Sequence, residues 1–128
     1  MWCEIFSETS IVVFKKGTQK VIGFISGFIH PDQPETLFIW QVAVHLSERG
    51  NGLATKMLLQ LLDRDICENV HYVEATVSPS NSPSRNLFLG LARRFKTNWK
   101  FSEYISTDDF PETGHENEML FKIGPIEK

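Results

Sequence analysis

The 128-residue sequence predicts an α/β fold of the α+β kind, a mixed sheet flanked by helices. Runs rich in Val, Ile and Phe alternate with polar turn residues, which is typical of β-strands. Farther along, a strand, a helix, a strand and a helix follow one another, and this order indicates a crossover unit. We expect a single domain over residues 1–128, because one hydrophobic core serves roughly 100 to 200 residues.

The first part of the chain predicts three strands. Residues 11–16 and 20–29 are strand-like, and the polar residues 17–19 between them predict a hairpin turn. Residues 37–44, Leu-Phe-Ile-Trp-Gln-Val-Ala-Val, are the most strand-like run and predict a central strand. Residues 1–6 carry apolar side chains at helical spacing without a cap, and we interpret them as the tail of a longer helix.

The second part predicts two helices and two strands. Residues 51–64 have apolar side chains at helical spacing, with polar ones on the opposite face, so they predict an amphipathic helix. Residues 71–77 predict a strand, and residues 84–95 predict a second helix. Residues 119–123, after a polar stretch, predict a last strand.

Composition argues against several classes of partner. The chain has 13 Lys and Arg against 16 Asp and Glu, a net charge of -3, so it lacks the broad positive field that nucleic-acid binding needs. Its two cysteines form no CxxC pair and its four histidines are scattered, so we expect no disulfide framework and no metal site. The apolar runs are too short to span a bilayer, and we expect a cytoplasmic protein without a membrane partner.

A glycine-containing loop predicts an anion site. Residues 49–54, Arg-Gly-Asn-Gly-Leu-Ala, join the central strand to the first predicted helix, where backbone N–H groups lack partners and the helix dipole is positive. Gly50 and Gly52 let the backbone approach a phosphate, and Arg49 adds charge. The loop lacks the Lys-Ser/Thr of a Walker motif and the third glycine of a dinucleotide fingerprint, which argues against ATP and NAD. A simple tight turn before a helix is the alternative interpretation.

Two motifs in order resemble the GNAT acetyltransferase superfamily. The loop at residues 49–54, after a Val-rich strand, resembles motif A, and residues 81–88 resemble the segment that holds the pantetheine arm. Within the superfamily, residues 23–28, 37–44, 74–81 and 114–125 resemble the L-2,4-diaminobutyric acid acetyltransferases of ectoine biosynthesis.

The resemblance implies a GNAT fold, a mostly antiparallel mixed sheet with a splayed central strand pair. It also implies a homodimer that uses acetyl-CoA to acetylate the 4-amino group of L-2,4-diaminobutyrate. The pantetheine amides would pair with the exposed backbone of the splayed strand, with Val42 and Val44 as candidates. The implied CoA-binding residues are Val42, Ala43, Val44, Arg49, Gly50, Asn51, Gly52, Leu53, Ala54, Thr55, Asn81, Ser84 and Phe88.

Two residues are candidates for the base that deprotonates the amine, Glu74 on a strand and His115 in a polar segment. An ordinary exposed strand carboxylate and a solvated loop histidine are the alternative interpretations. The candidate substrate-binding residues are Trp40, His45, Glu74, His115 and Glu118. Trp40 could stack on an ammonium group or fill the core, and His45 could line the site or be structural.

The candidate general acid is not assigned by the sequence. Many GNAT enzymes protonate the leaving thiolate with a tyrosine at the position of Phe88, and phenylalanine cannot donate a proton. Either Tyr104 reaches the site from elsewhere or the thiolate leaves unassisted, since a thiol pKa near about 8.5 makes a tolerable leaving group.

The chain also departs from the family at its start, because the family has an additional strand and helix before the position of Met1. We expect that difference to favour more extensive dimerisation, an upstream start or impaired activity. Two functional alternatives stay open. One is a GNAT enzyme for another amine, such as a polyamine, an amino acid or a protein N-terminus. The other is a catalytically silent CoA-binding module.

Overall fold

This computed structural model describes residues 2–7, 9–78, 80–103 and 119–127. Short 3-10 helices at Leu46–Glu48 and Asp65–Cys67 stand on either side of the first α-helix. The strands and α-helices, in chain order, are β1 Trp2–Ser7, β2 Ser10–Phe14, β3 Val21–His30, β4 Gln33–Val44, α1 Leu53–Leu62, β5 Tyr72–Val77, α2 Ser82–Arg94, β6 Trp99–Glu103 and β7 Met119–Ile123.

The described strands form one mixed sheet in the order β1-β2-β3-β4-β5-β7-β6. Strands β4 and β5 are parallel, and every other neighbouring pair is antiparallel. Helix α1 connects the two parallel strands, as a crossover between parallel strands requires. The predicted mixed, mostly antiparallel sheet with flanking helices is confirmed.

Both helices cover the same face of the sheet. The apolar stripe of α1 is buried against β2, β3 and β4, and α2 packs on β7 and on α1. Gly23 makes the close approach of α1 possible, because a Cβ at this position would lie 3.0 Å from Leu53 Cδ2. The core therefore lies between the sheet and the two helices, and it fixes the ends of α1 and α2 relative to β4 and β5.

The interpretation of residues 1–6 as a helix tail is wrong. Trp2–Ser7 form strand β1, which pairs antiparallel with β2 so that Trp2 lies opposite Phe14 and Ser7 opposite Ser10. An isolated six-residue helix does not form by itself, because nucleation is costly, whereas β2 offers backbone partners to both ends of this segment. Strand β6 was also not predicted, and β4 begins at Gln33, before the predicted start.

Candidate active site

A cleft opens in the sheet where β4 and β5 separate. The two strands are paired from Thr36 with Tyr72 to Ile39 with Ala75, and no pairing continues beyond that point. A bulge occurs at the same level, because Gly27 lies opposite Ile39 and Ser26 opposite Gln41, which leaves Trp40 as the extra residue. A bulge bends the strand that carries it, so β4 is bent at the level where it separates from β5. The splayed central strand pair is confirmed.

The backbone of β4 directs hydrogen-bonding groups into this cleft. The amide of His45 donates to the Ile22 carbonyl at 2.8 Å, so the backbone groups of His45 point toward β3. Successive residues of a strand point their backbone groups to opposite sides. The backbone groups of Val42 and Val44 therefore point into the cleft, toward the side that β5 has left.

The glycine loop lies at one end of the cleft. Gly50 and Gly52 have positive φ angles of 85° and 74°, a conformation that favours glycine. Gly52 is the N-cap residue of α1, and no side chain caps this end of the helix. The first amides of α1 therefore face the cleft with the positive end of the helix dipole, and the Arg49 side chain adds a positive charge. Arg49 Nε donates to the Val44 carbonyl at 3.4 Å.

The N-terminus of α2 forms the opposite wall. Asn81 is its N-cap residue, and the Asn81 side-chain oxygen accepts a hydrogen bond from the Ser84 amide at 3.2 Å. One turn farther, Phe88 is buried and its ring stacks on Phe121 with 6.5 Å between centroids. This packing fixes the first turn of α2 beside the cleft.

Two adjoining cavities fill the space between these walls. The larger, of about 760 Å³, reaches from the glycine loop to the first turns of α2, and the smaller, of about 250 Å³, lies between the separated ends of β4 and β5. The larger is within the range of roughly 300 to 1,000 Å³ that is usual for ligand pockets. Most of the predicted CoA residues line it: Val42, Ala43, Val44, Arg49, Gly50, Gly52, Leu53, Ala54, Thr55, Asn81 and Ser84. Phe88 lines the smaller cavity, and Asn51 is exposed outside both linings.

The face of the sheet away from the helices carries the candidate base. Glu74 lies opposite Phe38 on β4 and Lys122 on β7, and only 9% of its surface is exposed. Lys122 Nζ is 4.9 Å from the centroid of the Tyr72 ring on the same face. Glu74 is thus a buried carboxylate, not the exposed strand residue of the alternative interpretation.

Trp40 and Thr76 line the smaller cavity. The Trp40 indole is 55% exposed, so it does not fill the core. Thr76, two residues after Glu74 on the same face of β5, was not predicted as a site residue, although its position follows from strand alternation once Glu74 is placed.

The remaining predicted residues lie elsewhere. His45 Nδ1 accepts from the Ser47 amide at 3.1 Å and caps the 3-10 helix, a structural role, so its contact with substrate stays a prediction. His115, Glu118 and Tyr104 lie outside the described residues.

Comparison with known proteins gives the family. The model for the acetyltransferase (GNAT) family matches residues 1–91, which is most of the chain. The chain belongs to the GNAT acetyltransferase family. The glycine loop, α1 and the separated strands of this GNAT domain all lie within the matched residues.

Relatives and a solved structure are similar along the whole chain. The L-2,4-diaminobutyric acid acetyltransferase of Oceanobacillus iheyensis is 61% identical, over all of this chain and 72% of its own length. That of Virgibacillus pantothenticus is 59% identical, over all of this chain and 79% of its own length. The diaminobutyrate acetyltransferase EctA of Paenibacillus lautus, solved with its substrate L-2,4-diaminobutyric acid and coenzyme A, has a TM-score of 0.86 at 42% identity and covers 96% of this chain and 74% of its own.

No helix in the described part of the chain is long and apolar enough to cross a membrane. Among the same residues, no group of three or more His, Cys, Asp or Glu side chains could hold a metal ion.

Proposed function

We propose that this GNAT enzyme transfers acetyl from acetyl-CoA to the 4-amino group of L-2,4-diaminobutyrate in ectoine biosynthesis. The product is N4-acetyl-L-2,4-diaminobutyrate. One observation carries the proposal: a diaminobutyrate acetyltransferase solved with coenzyme A and diaminobutyric acid has the same fold at 42% identity. Identity of 61% to a second enzyme of the same name supports it.

In this proposal the CoA moiety occupies the larger cavity. The pyrophosphate accepts hydrogen bonds from the first amides of α1, and Arg49 and Thr55 complete the phosphate site. Thr55 is half-buried in the lining, so its side chain is available to this group. The pantetheine amides pair with Val42 and Val44 as an added strand would. Asn81 supplies a side-chain amide from the opposite wall.

The amine approaches from the face of the sheet that carries Glu74. Diaminobutyrate brings two ammonium groups and one carboxylate, so its site needs negative or aromatic partners for the amines. Trp40 lines the smaller cavity and is more than half exposed, so its ring is available to an ammonium group. His115 and Glu118 are further partners in the proposal, carried over from the family resemblance.

Glu74 accepts the amine proton in this proposal, with His115 as the alternative base. Glu74 is not in the lining of the smaller cavity, whereas Thr76 is. In this proposal Glu74 accepts the proton directly or through one bridging water. The neutral amine then attacks the thioester carbonyl carbon, the C–N bond forms and the C–S bond breaks. The nitrogen loses its second proton to water, and CoA leaves as the thiolate.

The assay is release of free CoA thiol from acetyl-CoA, measured with diaminobutyrate, ornithine, lysine, spermidine and no amine. We expect strong turnover with diaminobutyrate alone, and NMR of the product should place the acetyl group on N4. Preferred turnover of another amine would contradict the substrate. No turnover with any amine, while CoA raises the melting temperature, would mean a silent CoA-binding module.

The homodimer, the single domain and the cytoplasmic location stay predictions, as do the absence of nucleic-acid and membrane partners. Sedimentation velocity of the purified protein tests the homodimer, with a mass of two 14.7 kDa chains as the expected result.

A further inference from the structure

The two cavities meet at a small set of residues. Val42, Ala43, Asn81 and Ser84 line both of them. The larger cavity ends at the glycine loop, and the smaller one lies where β4 and β5 separate. In acetyl-CoA the thioester sulfur joins the pantetheine arm to the acetyl group. If the arm fills the larger cavity and the acetyl group the smaller one, the sulfur lies at the junction that these residues form.

Among the side chains at this junction, Ser84 has the only hydroxyl group. Val42 and Ala43 are apolar, and Asn81, whose side-chain oxygen accepts a hydrogen bond from the Ser84 amide at 3.2 Å, is more exposed to solvent than Ser84. In the described part of the chain, no hydrogen bond engages the Ser84 hydroxyl, and the residue is half-buried in the first turn of α2. One turn farther along the same helix, Phe88 cannot donate a hydrogen bond.

We propose that the Ser84 hydroxyl donates a hydrogen bond to the thioester sulfur as the C–S bond breaks. This inference rests on the proposed acetyl transfer. The amine nitrogen forms a bond to the carbonyl carbon, the electron pair of the C–S bond goes to sulfur, and the proton lost by the amine leaves through the base. Ser84 keeps its own proton and stabilises the thiolate, which later takes a proton from water. Its place near the positive end of α2 stabilises the same charge.

The first test measures the acetyl-transfer step in single turnovers, with enzyme in excess over acetyl-CoA and a saturating amine. Ser84→Ala should slow this step by about 10- to 100-fold, the usual effect of removing one donor to a developing charge, with little change in the Kd of acetyl-CoA. Ser84→Thr, which keeps a hydroxyl, should recover most of the rate. Ser82→Ala is the matched control, because Ser82 lies in the same turn but lines neither cavity.

The second test does not depend on any amine. The ultraviolet absorbance of the thiolate reports the pKa of the CoA thiol when CoA is bound to the protein. A hydrogen bond to the thiolate lowers that pKa, so Ser84→Ala should raise it and Ser82→Ala should leave it unchanged. An equal pKa in wild type and Ser84→Ala, with CoA bound to both, would overturn the inference. Failure of the wild type to acetylate diaminobutyrate would instead overturn the proposed function.

Discussion

Replacing Gly52 with alanine tests whether the glycine loop, residues 49–54, binds the phosphates of CoA. Gly52 has a φ of +74°, and a Cβ built on it meets no atom within 4 Å, so alanine causes no clash with the protein. The left-handed conformation costs alanine about 1 to 2 kcal/mol, which lowers the melting temperature by roughly 3 to 10 °C. The new methyl group projects from the wall of the larger cavity, where the pyrophosphate is proposed to lie. Loss of one charge-assisted hydrogen bond there weakens CoA binding at least about tenfold.

Gly17→Ala is the control for this prediction. Gly17 has a φ of +79° with no atom within 4 Å of its Cβ position, and it lies in the β2–β3 hairpin, outside both cavity linings. We expect a similar loss of stability with unchanged CoA affinity. Chemical denaturation measures the stability, and calorimetric titration measures the Kd of CoA. If Gly52→Ala binds CoA as tightly as Gly17→Ala does, the loop does not hold the phosphates.

Three further substitutions test other parts of the molecule. Glu74→Gln should lower kcat by about 10²- to 10⁴-fold with a smaller change in KM. The control Glu68→Gln, at an exposed position, should leave kcat unchanged, and equal kinetics for the two variants would show that Glu74 is not the base. Trp40→Ala should raise the KM for diaminobutyrate several-fold, whereas Trp40→Phe should keep most of the affinity. An unchanged KM in the alanine variant would show that the indole does not contact the amine. Gly27→Ala places a Cβ 2.6 Å from the Phe38 carbonyl oxygen, so it should lower the free energy of unfolding by about 1 to 3 kcal/mol. An unchanged denaturation midpoint would contradict the register of β3 and β4 at the bulge.

The contrast between the glycine loop and the proposed amine site shows what could be predicted. The loop is local, because a strand, two glycines and a helix within about a dozen residues fix both the positive φ angles and the exposed amides. The proposed amine site combines residues from distant parts of the chain. The face of the sheet on which Glu74 lies depends on its pairing with Phe38 of β4 and Lys122 of β7. The sequence around Glu74 does not determine that pairing.

The N-terminal residues show the same limit of local patterns. Apolar side chains at residues 2, 3, 5 and 6 fit a helical stripe, yet the segment is a strand because β2 offers it backbone partners. The place of β7 between β5 and β6 was likewise beyond prediction, since chain order would put β6 next to β5.

The sequence by itself determined the class of fold, the crossover between parallel strands, the place of the glycine loop at the start of α1 and the resemblance to the GNAT enzymes. Each of these depends on short-range patterns, which are hydrophobic periodicity, turn residues and glycine at a helix start. Only the tertiary structure decided where β4 leaves β5, that Trp40 is the bulged residue at that point, and that Ser84 lies where the two cavities meet. These features depend on strand register and helix packing, which arise from contacts between residues far apart in the chain.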